Sequence, residues 1–133
     1  MTDIHLASAH LRSGTTAYAE HVRAGKHELL CDEPEAHGGG DLGPPPYALL
    51  AASLGACTAI TLRMYAARKG WPIEPLEIDV RVFRTEDTER IERAIRVAPE
   101  LTLDQKKRLL EIADKTPVTK TLGRGTEIKT TLK

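Results

Sequence analysis

The stretch that decides the fold is Gly38–Glu74, GGGDLGPPPYALLAASLGACTAITLRMYAARKGWPIE. Three glycines and three prolines make a loop with special backbone angles and a stiff entry, and Pro46 suits the first turn of a helix. From about Pro46 to Lys69 the spacing predicts one long helix. Arg63, Arg68 and Lys69 complement its negative end, Gly70 supplies the C-cap, and Trp71-Pro72 prevents continuation. Between Tyr47 and Leu62 the helix is apolar on almost every face, so it is expected to be wrapped by protein, with Cys57 buried inside it. Gly55, next to the cysteine, costs about 1 kcal/mol relative to alanine in a helix, which suggests a close approach to the backbone there.

Working outward, Thr15–Val22 and His27–Leu30 read as strands separated by turns at Ser13-Gly14 and Ala24-Gly25-Lys26. On the other side Leu76, Ile78, Val80 and Val82 alternate with charged residues, and Glu86-Asp87-Thr88 makes a turn. Glu89–Val97 returns as the hairpin partner, with Ile91, Ile95 and Val97 on its apolar face. Arg93 falls on that apolar face. Either its stem packs there while its head reaches an edge or a carboxylate, or it serves the site. Thr102 and Gln105 form a capping box that opens a second helix, whose stripe is Leu103, Leu109, Leu110 and Ala113 and which ends near Lys115-Thr116-Pro117. A last strand is expected over Glu127–Leu132. The order strands, helix, hairpin, helix, strand predicts an α+β domain spanning residues 1–133.

At 133 residues and 14.6 kDa the chain fits one core. Nineteen basic and nineteen acidic side chains cancel, which disfavours nucleic acid and anionic membranes as partners. The amino-terminal residues lack an apolar run of signal-peptide length, and Arg63 interrupts the central helix short of a spanning length, so a cytoplasmic protein is expected. A reducing cytosol keeps Cys31 and Cys57 as free thiols, and sulfur chemistry there would be catalytic or regulatory. No GxSxG, P-loop, GxGxxG or HExxH pattern occurs. Cys31, Asp32, Glu33, His37 and Asp41 match no defined metal spacing, and neither metal nor cofactor is expected.

Composition alone favours an inert buried cysteine at position 57. A nucleophilic Cys57 would need a cation, a histidine or a helix N-terminus beside it, and being about three turns into the helix it must take that help from another segment or chain. All five histidines precede residue 38. One long apolar helix in so small a domain also needs more cover than a sheet and one amphipathic helix supply, which makes a homodimer the economical solution.

GGGDLGPPPYALLAASLGACTAITLRMYAARKGW, followed by LTLDQKKRLLEIADKTPVTKTL, resembles the OsmC/Ohr family, osmotically inducible protein C and organic hydroperoxide resistance proteins, and most of all its YhfA-like branch. The resemblance implies an α+β intertwined homodimer with two central helices enclosed by sheets. It also implies a thiol peroxidase that reduces small organic hydroperoxides, with Cys57 as peroxidatic cysteine and an external thiol as reductant. This sequence departs from the pattern where a CPV turn would carry the resolving cysteine: Thr116 stands there. An arginine and a glutamate of the Ohr network are replaced by Thr16 and Tyr47. Three outcomes stay open. Cys57 reacts with peroxide and is reduced by an external thiol or by Cys31; or the pocket binds a small apolar or electrophilic molecule without turnover; or the chain forms a dimer with a structural role only.

Overall fold

The computed structural model describes residues 2–133. By their internal contacts they divide into a first compact unit running to Leu50 and a second from Ala51 to Lys133. The first holds the antiparallel meander β1 (Ala9–Ser13), β2 (Glu20–Ala24) and β3 (His27–Cys31), in that order. Gly25, at φ 60°, takes the first central position of the two-residue turn that pairs Ala24 with His27. After β3 the chain folds around the Asp32 carboxylate, which accepts the backbone N–H groups of Glu33 (2.7 Å), Gly40 (3.0 Å) and Leu42 (3.3 Å). At Gly39 and Gly43 a Cβ would collide with the carbonyls of Glu33 and Leu30. The glycine-rich loop is thus a tightly self-packed turn, and Asp32, buried at its centre, is committed to holding it.

Helix α1 (Pro46–Lys69) runs from the loop into the second unit. It stops as read: Gly70 adopts φ 71° and the Trp71 N–H bonds back to the Ala66 carbonyl. The hairpin β4 (Glu77–Thr85) and β5 (Thr88–Arg96) follows, then α2 (Leu103–Ala113), opened by the Thr102/Gln105 capping box, and α3 (Pro117–Arg124). The core of this unit joins Leu62 and Ala66 of α1 to Ile73, Ala98 and Leu101, and to Leu109 and Ala113 of α2. At its edge Arg108 donates to the Tyr65 hydroxyl at 3.0 Å, and the Tyr65 ring meets Trp71 edge-on. The outer hairpin face carries the charge pairs Arg96–Glu77 and Arg90–Glu92, and near the turn Arg84 pairs with Glu89 on the other face.

Several expectations change. Helix α1 is not wrapped within one chain: Leu54, Thr58, Leu62 and Ala66 form one buried stripe, while Ile60 and Met64 are 53% and 59% exposed. Cys57 is half-buried rather than buried. Arg63 does not disqualify the helix by composition either, since an 18-residue window reaches a mean hydropathy of 1.4, in the range of spanning helices. A core helix passes that same test, and the buried stripe is core packing. Gly55 meets only the Val80 Cγ2, at 3.4 Å, so no backbone presses on it.

The first strand is Ala9–Ser13, missed because Leu11 is its only large apolar residue, and the predicted Thr15–Val22 strand begins only at Glu20. The α2 stripe is Leu109 and Ala113; Leu103 and Leu110 are exposed, since neighbouring positions on a helix lie about 100° apart and 109 and 110 cannot face one way. Glu127–Leu132 forms no strand, and Ile128 is 84% exposed. A strand needs an edge to pair with, and neither sheet of the described residues includes this segment. Thr116-Pro117, read as a stop, opens α3 instead, with proline in the first turn where its missing N–H costs nothing.

Candidate functional site

The site is assembled around Arg93. On the inner face of the hairpin Ile78 pairs with Ile95 and Val82 with Ile91, and between them Arg93 lies opposite Val80. Its side chain is only 14% exposed, so the guanidinium must find acceptors inside the unit. One terminal nitrogen donates to Thr58 Oγ1 of α1 at 3.0 Å and to Thr119 Oγ1 of α3 at 2.8 Å, and the other to Asp114 Oδ1 at the end of α2, at 3.4 Å. Thr58 in turn donates to the Leu54 carbonyl at 2.7 Å. Thr119 donates to the Ala113 carbonyl at 3.3 Å and sits 2.6 Å from Thr116 Oγ1. Thr58 and Thr116 are fully buried, and among the described residues no buried side-chain polar atom lacks a partner. A single cation thus ties together α1, the end of α2 and α3.

This network joins two of the sequence candidates, Arg93 and Thr116, and reaches the residue next to a third. Cys57 precedes Thr58 on α1, Arg93 bonds to Thr58, and Thr116, where the resolving cysteine is expected, is joined to Arg93 through Thr119. Sequence reasoning missed Thr58, Thr119 and Asp114. Threonines at a helix start after a proline turn were a readable signal only for α3, not for what its hydroxyls would bond. Cys57 lies on a different face from the buried stripe: Ser53, Cys57, Ile60 and Met64 follow at helical spacing along the side of α1 left partly or fully exposed. On the opposite side of α1, small residues including Ala52, Gly55 and Ala59 face Ile78 and Val80 across a groove of about 360 Å³.

Cys31 belongs to the first unit, and both cysteines are free thiols. Burial, with Glu33, Glu20 and Asp32 adding negative charge nearby, pushes the Cys31 thiol above its ordinary value of 9.0. That environment disfavours the thiolate and so weakens Cys31 as an attacking group. Among the described residues no three of His, Cys, Asp and Glu converge as a metal site.

A family model described as OsmC-like protein matches residues 38–131, well over half of the chain. The chain belongs to the OsmC-like family. Solved structures share its fold. An OsmC-like protein of Mycoplasma pneumoniae superposes with a TM-score of 0.73 at 19% identity, covering 92% of this chain and 89% of that one. An organic hydroperoxide resistance protein, OsmC, of Legionella pneumophila does so with 0.66 at 19%, covering 91% of each. The organic hydroperoxide resistance protein OhrB of Bacillus subtilis gives 0.62 at 22%, covering 88% and 90%. Among curated proteins none matches.

Proposed function

We propose that this chain is a thiol-dependent peroxidase that reduces organic hydroperoxides through Cys57 without a resolving cysteine. What carries the reading is the Arg93 network, which sets a permanent cation against the residue next to Cys57 and fills the resolving position with the hydroxyl of Thr116. Family membership and the naming of similar folds as organic hydroperoxide resistance proteins support it. The Cys57 thiolate attacks the terminal oxygen of ROOH; an S–O bond forms, the O–O bond breaks, and the alkoxide leaves and takes a proton as ROH. Sulfur is oxidised by two electrons to the sulfenic acid. An external thiol then condenses with it, releasing water and forming a mixed disulfide, and a second thiol displaces the Cys57 thiolate. Such a cycle needs a reducing compartment, which fits a cytoplasmic protein.

The partner in this reading is a second copy of the chain. The exposed line Ser53, Cys57, Ile60 and Met64 is the surface that a symmetry-related α1 would cover, enclosing the thiol at a subunit seam. The apolar groove between α1 and β4 favours a second reading, a dimer that binds a small apolar or electrophilic molecule without turnover.

Thiol counting separates the two. After one equivalent of an alkyl hydroperoxide, wild type should lose one thiol, Cys57→Ser none, and Thr116→Cys two, with a new intramolecular disulfide. No thiol loss from wild type above the rate of free cysteine would leave only the binding reading, and loss of two in wild type would make Cys31 the resolver.

A further inference from the structure

The first unit carries a feature that peroxide chemistry does not use. Alternation along the meander places His10 and Arg12 of β1 and His21 and Arg23 of β2 on one face. The register sets Arg12 directly across from His21, and His10 directly across from Arg23. Each guanidinium thus faces an imidazole rather than a carboxylate, an arrangement that an anion lying over the face would complete. From β3 only Glu28, opposite Arg23, and Leu30, opposite His21, complete the face. Among the described residues none of the four cationic side chains makes a hydrogen bond or ion pair. On the hairpin, by contrast, Arg84, Arg90, Arg93 and Arg96 all have carboxylates. A chain of zero net charge thus gathers two arginines and two histidines without acidic partners on one sheet face, at a concavity of about 790 Å³ edged by Ser13 and Thr15.

We propose that this face binds a small polyphosphate-bearing molecule. Arg12 and Arg23 are diagonal neighbours on adjacent strands, about 7–8 Å apart at their stems, so two planar forks reach over one footprint. Guanidinium forks match phosphate oxygens in pairs, and two or more linked phosphates engage both where a single carboxylate engages one. The concavity lies within the roughly 300–1,000 Å³ usual for small-ligand clefts. The chain's zero net charge argues against an extended nucleic acid as occupant. Glu28 is the one carboxylate on the face, and the two imidazoles set further hydrogen-bonding groups beside the guanidiniums.

The test titrates the full-length protein with inorganic pyrophosphate at fixed ionic strength, following the His10 and His21 imidazole resonances by NMR and the heat by calorimetry. Binding should saturate, with the heat and the two imidazole resonances reporting the same dissociation constant. Arg12→Gln with Arg23→Gln should abolish saturable binding while leaving the circular dichroism unchanged, and His10→Gln with His21→Gln should weaken binding without abolishing it. Shifts that never saturate, equal affinity in the arginine double variant, or a heat signal without movement of these two histidines would overturn the proposal.

Discussion

Arg93 is the charged side chain set between the apolar pairs Ile78–Ile95 and Val82–Ile91, and its three acceptors belong to three different helical elements or their caps. Hydrogen bonds from a charged donor are worth about 1.5–3 kcal/mol each when buried acceptors would otherwise be orphaned. Thr58 and Thr119 keep carbonyl partners after Arg93→Ala, at Leu54 and Ala113, which limits the damage. The expected loss is about 2 kcal/mol in chemical denaturation, with Arg93→Lys recovering part of it. Peroxide reactivity of Cys57 should fall about tenfold in the alanine variant, equivalent to about 1.4 kcal/mol of barrier. An unchanged second-order rate would remove Arg93 from the chemistry and leave it a structural tie.

Cys31 makes a separate prediction about pH. Its folded pKa is raised, by burial first and then by Glu33, Glu20 and Asp32, so below 9.0 the thiol is neutral in both states and carries no penalty. Above that value the unfolded chain ionises while the native thiol resists, and stability is lost as pH rises. Melting temperature should therefore drop more steeply between about pH 8 and 10 in wild type than in Cys31→Ala. Parallel curves would contradict the raised value.

Among the elements, α1, the hairpin and the capping box of α2 were legible because each declares itself locally: a proline entry and glycine exit, strict alternation, a Thr-x-x-Gln pair. Strand β1 and helix α3 were not. The first has charged residues in alternate places and one leucine; the second begins at a Thr-Pro that also reads as an ending. Cys57, Arg93 and Thr116 could be picked out of the sequence as candidates, but the wiring around Arg93 could not, since Arg93 bonds across 35 residues to Thr58 and across 26 to Thr119. No local pattern encodes such pairings. The half-exposed face of α1 carries its own prediction. If a second copy covers Ile60 and Met64, replacing both by glutamate buries two charges from each copy at the seam, and light scattering should show a monomer where wild type is a dimer. A wild-type monomer, or a variant that still dimerises, would place the seam elsewhere.

At the scale of the whole molecule, the OsmC-like chain carries Cys57 on its long helix, while Thr116, which the proposal puts at the resolving position, is tied into the Arg93 network. A threonine cannot close a disulfide, so under the proposed reading an oxidised Cys57 would wait for a thiol from outside the chain. Peptide mapping can read directly whether that separates it from a two-cysteine cycle. The decisive measurement is the state of each cysteine by mass spectrometry immediately after one equivalent of alkyl hydroperoxide, in the absence of added thiol. A single oxygen atom on Cys57, Cys31 untouched and no disulfide is the predicted result. Cys57 left reduced while free cysteine in the same tube is oxidised would contradict the account.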